Sequence, residues 1–291
     1  MPERSEGHLR HWLVQPGHAA GITQRRPDDL SGVPGDRPAT EAATAGQIAE
    51  LAGLQDRLWG EARRSLLVVL QGIDAAGKDG TIKHVFRGVN PQGVRVSSFK
   101  VPTPVEQSHD FLWRVHQVTP KAGEIGIFNR SHYEDVLVVR VHKLVAESVW
   151  RGRYDDIVAF ERMLHGGGTT IVKLFLHISY EEQGRRLTER LNDPDKCWKL
   201  QRSDFLERSR WRDYQMAYED ALSRTSTDDA PWYVVPAEHK WFRNWVVIEV
   251  LLHTLRAMDP RYPKAAPPED LSDLSDLQPD AHRPGSEEPG R

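Results

Sequence analysis

The sequence has little cysteine, no long apolar run and little net charge, and each of these absences narrows its interpretation. Cys197 is the only cysteine among 291 residues, so no disulfide can form within the chain. No apolar run approaches the roughly 18 residues that cross a bilayer, and no charged and then apolar leader opens the chain. The formal charge of −3 gives no general reason to bind nucleic acid or an anionic membrane. We therefore expect a cytoplasmic protein whose partners include neither nucleic acid nor membrane.

Both ends of the chain have the composition of segments outside a folded core. Residues 1–45 are rich in proline, glycine, arginine and aspartate without a sustained apolar period, and predict a mobile arm in which residues 12–14 dock locally. Residues 260–291 repeat aspartate, proline, serine and glutamate, and predict a disordered tail. The overall apolar content of 38% suffices for a real core, which we expect within residues 46–259.

Apolar runs that alternate with helix-like segments predict an α/β fold. Unbroken apolar runs such as 66–70 and 171–176 suit a parallel sheet that is covered by helices on both faces. In such sheets ligands bind outside the carboxyl ends of the strands. The predicted strands are 66–71, 94–99, 124–129, 170–176 and 232–236.

A glycine-bounded loop follows the first of these strands. Gly72 and Gly77 enclose four residues and Lys78 follows, which is the G-x-x-x-x-G-K pattern of a phosphate-binding P-loop. A helix that starts near Lys78 directs its dipole and free N–H groups at the phosphates. A Ser or Thr that ligates Mg²⁺ is usual at the position of Asp79, so this carboxylate and Asp74 indicate a rearranged metal site. The predicted phosphate-binding residues of the loop are Gly72, Ala75, Ala76, Gly77, Lys78, Asp79 and Gly80.

Polar residues also end the predicted strand 124–129. Asn129, Arg130 and Ser131 stand where P-loop enzymes place an acid that holds Mg²⁺ or its waters. Because Asn129 is neutral, we expect Asp74 to supply part of the negative charge at the metal. Arg130 can pair with a phosphate through two hydrogen bonds, which lysine cannot do.

A basic segment over residues 185–212 predicts a helical lid, which we place at about 180–225. Ser179 caps a predicted helix over 180–191, and a second helix begins at Ser203. Arginines on the inner side of two such helices can close on a polyanion, expel water and neutralise a transferred phosphoryl group.

Four motifs, in this order and spacing, resemble the polyphosphate kinase 2 family over about residues 46–258. They are GIDAAGKD at 72–79, HDFLWR at 109–114, FNRSHYED at 128–135 and APW at 230–232. The resemblance implies a P-loop kinase-like core with a helical lid. It also implies a phosphotransferase that uses inorganic polyphosphate and a nucleoside mono- or diphosphate, with Mg²⁺, for which Mn²⁺ can substitute, and assembly into a dimer or tetramer.

The resemblance further implies catalytic roles for Asp74, Lys78 and Arg130, and a metal site at Asp74 and Glu134. The family often carries Asp at the position of Asn129, so this chain has one acidic charge fewer there. Further contacts with phosphate or nucleotide are implied for Asn129, Ser131, Arg185, Arg190 and Lys240.

The function we predict is in-line transfer of a phosphoryl group between polyphosphate and ADP or GDP, with AMP as a further acceptor. Two alternatives stay open on the sequence alone. The first is an ATP-dependent nucleoside monophosphate kinase, which shares the P-loop, the arginine-rich lid and the α/β core. The second is a nucleotide-binding switch that lacks efficient transfer.

Overall fold

The computed structural model describes residues 3–195, 197–199 and 202–264, apart from the side chains of residues 3–6, 8 and 199. The strands are β1 (Leu13–Val14), β2 (Ser65–Gln71), β3 (Val94–Ser98), β4 (Ile125–Asn129), β5 (Thr169–His177) and β6 (Trp232–Pro236). The helices are α1 (Glu3–Trp12), α2 (Arg37–Glu61), α3 (Lys78–Val85), α4 (Pro104–Gln107), α5 (Trp113–His116), α6 (Glu134–Val141), α7 (Glu147–Gly166), α8 (Tyr180–Leu191), α9 (Arg202–Ser209), α10 (Trp211–Thr225) and α11 (Lys240–Met258).

The six strands form one sheet in the order β1-β6-β5-β2-β4-β3. The pairs among β2 to β6 are parallel, and only β1 runs antiparallel, along the edge of β6. All five predicted strands are present, each within one residue of its predicted bounds. Three of them were predictable because every residue of β2, β5 and β6 except Thr170 is buried, so these strands appear in the sequence as largely apolar runs.

Helices cover both faces of the sheet, as predicted. On one face α11 packs against α2 and α3, and on the other face α6, α7 and α10 pack against one another. β2 lies between β5 and β4, and its pairing register sets Leu70 opposite Asn129. The carboxyl ends of β2 and β4 therefore meet at one edge of the sheet, where the loop after β2 faces the polar turn after β4.

The structure differs from the predicted mobile arm over residues 1–45. Trp12 is 2% exposed and packs edge-on against Phe242 and Trp245 of α11, and β1 pairs with β6. Ile22 is also buried, and its backbone N–H donates to the carboxylate of Glu219. The sequence signal was weak because a two-residue strand and isolated apolar side chains carry no periodicity.

Helix α2 also begins earlier than the predicted domain boundary at residue 46. Asp36 caps it by accepting a hydrogen bond from the backbone N–H of Ala39, at 3.0 Å, and Pro38 occupies its first turn. The folded unit therefore includes most of the segment that the composition had assigned to an arm. The predicted tail over 260–291 lies, from residue 265 onward, outside the described residues.

The predicted lid also needs a correction at its second helix. α8 spans the predicted residues and begins with Ser179 Oγ accepting from the backbone N–H of Glu182 at 3.1 Å. The second helix, however, breaks at Arg210 into α9, which has no buried residue, and α10, which buries Tyr214 and Tyr218. α10 thus belongs to the core of the domain, and α8 and α9 are the parts that resemble a lid.

Within the described part of the chain, no helix is long and apolar enough to cross a membrane.

Candidate active site

The loop between β2 and α3 has the geometry of a phosphate cradle. Lys78 is the first residue of α3, so the free N–H groups of the first helical turn face the loop. Gly77 caps this helix with φ +105°, a conformation that residues with a side chain rarely adopt. A Cβ at Gly77 would also collide with Nη1 of Arg243. The glycine is therefore required both by the backbone conformation and by the arginine behind it.

Lys78 lies buried at the centre of the loop. Its Nζ donates to the carbonyl of Gly72 at 2.6 Å and, at 3.4 Å, to that of Ile73. Burial lowers the pKa of Lys78 to about 8, and the neighbouring charge of Arg130 contributes in the same direction, while Asp74 opposes it. The ammonium group is therefore poorly neutralised, and an anion in the loop would be attracted to it.

The turn after β4 contacts this loop through the residues that the sequence had singled out. Arg130 Nη2 donates to Asp74 Oδ1 at 2.6 Å, and Asn129 Nδ2 donates to Asp79 Oδ1 at 2.7 Å. Arg130 has φ +62°, which is unusual for a residue with a side chain. The structure therefore brings together the predicted site residues of both segments.

Ser131 and Glu134 complete this side of the site. Ser131 Oγ accepts from Nε2 of Gln71, at the end of β2, at 3.0 Å. A carboxylate oxygen of Glu134 lies 3.5 Å from Nη1 of Arg130. Burial raises the pKa of Glu134, although Arg130 and Lys78 act against this rise. Arg130 is thus held between Asp74 and Glu134.

Oxygen donors suited to a divalent cation surround the loop, but they do not form a complete cage. Asp74 and Glu134 lie on opposite sides of Arg130, and Asp79 is on the exposed face of α3. Among the described residues, no three histidine, cysteine, aspartate or glutamate side chains converge on one point. Carboxylates of this kind are oxygen ligands for a divalent cation.

Arg186 of α8 supports the loop from behind and was not among the predicted site residues. It donates through Nη1 to the carbonyls of Ala75 and Ala76, at 3.1 and 2.9 Å, and its Nε pairs with Glu182 at 2.6 Å. Nε2 of Gln183 donates to the carbonyl of Asp74 at 3.1 Å. These hydrogen bonds join the lid helix α8 directly to the backbone of the phosphate loop.

Arg243, near the start of α11, is a second residue that sequence reasoning missed. It is 3% exposed, and its Nε and Nη2 donate to Oδ1 of Asn244 at 3.2 and 2.8 Å. Within the described part of the chain no carboxylate pairs with it. Burial, followed by the charge of Arg186, lowers its pKa to about 10. The sequence signal for Arg243 was its position in the first turn of the helix that follows β6. That turn lies at the same edge of the sheet as the phosphate loop.

Two of the three predicted lid and phosphate contacts, Arg185 and Arg190, pair with acids of the lid. Arg185 pairs with Glu182 at 2.6 Å and with Glu189, and Nη1 of Arg190 lies 4.0 Å from Asp204. Lys240 is exposed at the start of α11. In this conformation the arginines at 185 and 190 face acids of the lid rather than the phosphate loop.

The arrangement as a whole is a cationic loop with acids at its rim. Lys78, Arg130, Arg186 and Arg243 surround the N-terminus of α3, whose dipole adds further positive potential. Such a site can hold several phosphate groups and neutralise charge that develops on a phosphoryl group in transfer. No nucleophilic side chain is needed for that chemistry.

Comparison with known proteins agrees with this geometry. The sequence model of one family, described as Polyphosphate kinase 2 (PPK2), matches residues 35–263. An "AMP/ADP-polyphosphate phosphotransferase" from Meiothermus ruber is 52% identical over 256 residues, which cover 88% of this chain and 96% of the relative. An "ADP-polyphosphate phosphotransferase" from Rhodopseudomonas palustris is 44% identical and covers 76% of this chain and 81% of that protein.

A solved structure gives the same result for the fold. The crystal structure of polyphosphate kinase 2 from Arthrobacter aurescens TC1 superposes with a TM-score of 0.86 at 42% sequence identity. The superposition covers 92% of this chain and 94% of the other.

Proposed function

The chain belongs to the polyphosphate kinase 2 family, and on this premise we propose that it transfers a phosphoryl group between inorganic polyphosphate and an adenine nucleotide. The observation that carries the proposal is the ion pair of Asp74 with Arg130 beside the buried ammonium of Lys78. This ion pair joins the phosphate loop to the turn after β4. The resulting site carries more positive charge than one nucleotide phosphate would need.

In this proposal the reaction is a direct in-line displacement. An oxygen of the nucleotide's terminal phosphate attacks the terminal phosphorus of polyphosphate. The bond from that phosphorus to its bridging oxygen breaks, and the polymer leaves one phosphoryl group shorter. Catalysis then consists of positioning and charge neutralisation, without a covalent intermediate on the enzyme.

The residues divide these tasks according to their positions. Lys78 and the N–H groups at the start of α3 bind phosphate oxygens, and Asn129 and Ser131 order the opposite wall. Arg130 binds the phosphoryl group in transfer through two donors, with Asp74 and Glu134 fixing its guanidinium. Arg243 lies behind Gly77, where it can extend the cationic surface to further phosphates of the polymer.

We propose Mg²⁺ as the divalent cation, for which Mn²⁺ can substitute. Asp74 is the first candidate to hold it, with Asp79 and Glu134 as further acids at the rim. When bound, the ion neutralises phosphate charge and aligns the two substrates. The carboxylate oxygens of Asp74, Asp79 and Glu134 are ligands of the kind that a hard cation prefers, which supports this proposal.

We propose ADP as an acceptor and AMP as a second one. The support is the Meiothermus ruber relative, which is 52% identical to this chain over 256 residues and whose name mentions both nucleotides. The exposed helix α9 and the helix α8, which is bonded to the phosphate loop, would close over the nucleotide.

The test is incubation of the protein with polyphosphate, Mg²⁺ and, in separate reactions, AMP, ADP, GMP or GDP, with products separated by chromatography. We expect ATP from ADP, and ADP followed by ATP from AMP, without any ATP added. Transfer only when ATP is supplied as donor would indicate a nucleoside monophosphate kinase instead. Tight nucleotide binding without any transfer would indicate a binding switch.

A homo-oligomer, dimer or tetramer, and a cytoplasmic location complete the proposal. Light scattering after size-exclusion chromatography measures the assembly directly. A mass of 33.2 kDa, that of one chain, would contradict the oligomer.

A further inference from the structure

A group of buried polar side chains lies behind the turn that carries Arg130. We call it the core polar cluster, and each of its members is at most 1% exposed. It consists of His132, Tyr133, Glu161 of α7, Lys173 of β5 and Thr225 of α10. None of these side chains belongs to the phosphate site itself.

Lys173 is the centre of the core polar cluster. Its Nζ donates to Glu161 Oε2 at 2.6 Å, to the hydroxyl of Tyr133 at 2.9 Å and to the carbonyl of Thr225 at 2.7 Å. These three bonds use every donor of the ammonium group. The cluster therefore ties β5, α7 and the end of α10 to the segment that follows β4.

The turn residues His132 and Tyr133 are held by the same acid. Oε1 of Glu161 lies 3.2 Å from Nε2 of His132 and 2.9 Å from the hydroxyl of Tyr133. The Tyr133 hydroxyl also lies 2.8 Å from Oγ1 of Thr225, which accepts from Nε1 of Trp232 at 2.9 Å. Two consecutive residues of the turn are thus fixed from three different elements.

Fold stability alone does not account for this arrangement. A buried ion pair loses solvation worth several kcal/mol per ion, and apolar residues of similar volume are often at least as stabilising. The turn, in contrast, has a specific need. Arg130 adopts φ +62°, and a non-glycine residue in that region persists only where its surroundings enforce it.

Two separate anchors hold the segment that follows Arg130. On the side of β2, Gln71 donates to Ser131 Oγ, which in turn accepts from the backbone N–H of Tyr133 at 3.1 Å. On the far side, the core polar cluster holds the rings of His132 and Tyr133. Arg130 lies between the strand end and these anchors.

We propose that Glu161, Lys173 and Tyr133 are positioning residues for Arg130. They fix the segment after it, and thereby hold the left-handed turn that directs the guanidinium toward Asp74. The proposal rests on the proposed function only in that Arg130 then contacts the phosphoryl group. The positioning itself is a property of the protein without substrate.

The first test is Tyr133→Phe, which removes one hydroxyl and keeps the ring. Hydrogen exchange of the peptide that spans residues 129–135 should become about ten-fold faster, because the turn is released. Tyr233→Phe is the matched control, since Tyr233 is a buried tyrosine of β6 whose hydroxyl makes no hydrogen bond within the described residues. This measurement requires no activity, so it stays informative if the protein transfers no phosphoryl group.

The second test is a double-mutant cycle on transfer from polyphosphate to ADP. Tyr133→Phe should lower kcat about ten-fold in the wild-type background, but far less when Arg130 is already changed to lysine. The KM for ADP should change little. Lys173→Met combined with Glu161→Leu, which removes both charges, should give the same pattern while the free energy of unfolding stays near that of the wild type.

Two results would overturn the proposal. One is unchanged hydrogen exchange over residues 129–135 in Tyr133→Phe. The other is an equal loss of kcat in the wild-type and Arg130→Lys backgrounds, which would mean that the core polar cluster acts on the fold in general and not through Arg130.

Discussion

Asp74 Oδ1 and Arg130 Nη2 lie 2.6 Å apart, although 56 residues separate them in the chain. The first residue stands in the loop after β2 and the second in the turn after β4, and the parallel pairing of these strands brings them together. The acid orients the guanidinium without neutralising the site, because Lys78, Arg186 and Arg243 remain close by. This ion pair therefore connects the phosphate loop to Arg130, the residue that would contact the transferred phosphoryl group.

Arg130→Lys should lower kcat/KM for transfer to ADP by about 10- to 100-fold. Lysine keeps the charge but loses the planar pair of donors, and a hydrogen bond to a charged group is worth about 1.5–3 kcal/mol. The measurement is ATP formation from polyphosphate and ADP. Arg151→Lys is the control, because Arg151 is an exposed arginine that pairs with Glu147. If both kinetic constants match the wild type, Arg130 is not part of the site.

Binding of inorganic tripolyphosphate should weaken as the pH rises above about 8. Burial lowers the pKa of Lys78 from 10.5 to about 8, and a bound anion raises it again, so binding above pH 8 requires uptake of a proton. The loss should approach about ten-fold per pH unit. Calorimetric titrations between pH 7 and 9.5 measure it.

Lys78→Ala supplies the control for this pH dependence. The variant should fold, fail to transfer phosphoryl groups and bind tripolyphosphate weakly at every pH. The same lysine should also make the free energy of unfolding of the wild type rise between pH 8 and 10.5, since the unfolded chain keeps its proton over that range. An equally steep loss of binding in Lys78→Ala would assign the titration to another group.

Arg243→Gln should raise the KM for polyphosphate about ten-fold or more and change the KM for ADP little. The arginine is buried beside the phosphate loop, and within the described residues no carboxylate pairs with it, so an anion is the partner that would satisfy its charge. Arg256→Gln is a matched control on the same helix, where Glu50 pairs with the arginine at 2.7 Å. Equal effects of the two substitutions would exclude a role of Arg243 in binding polyphosphate.

Trp12→Ala should destabilise the fold by about 3–5 kcal/mol, because it leaves a large cavity between Phe242 and Trp245. Trp198→Ala, at a side chain that is 74% exposed, should change the free energy of unfolding by no more than about 0.5 kcal/mol. Urea denaturation followed by circular dichroism measures both. Equal stability of the two variants would mean that the N-terminal segment contributes nothing to the domain.

Local signals in the sequence determined most of the sheet and the centre of the site. Largely apolar runs marked β2, β4, β5 and β6, because strands that are buried on both faces have few polar positions. The glycine spacing before Lys78 marked the start of α3, and the polar residues from Asn129 onward marked the end of β4. Each of these features depends on neighbours in the chain, and so does the family resemblance that rests on short motifs.

Only the tertiary structure decided which of the basic side chains meet the phosphate loop. Arg185 and Arg186 are adjacent and both pair with Glu182, yet a helix turns about 100° per residue, so Arg185 also meets Glu189 while Arg186 reaches the loop carbonyls. The burial of Trp12 and the ion pair of Lys173 with Glu161 depend on packing between distant segments. Composition and periodicity carry no information on such contacts, because the energy of each comes from a partner elsewhere in the chain.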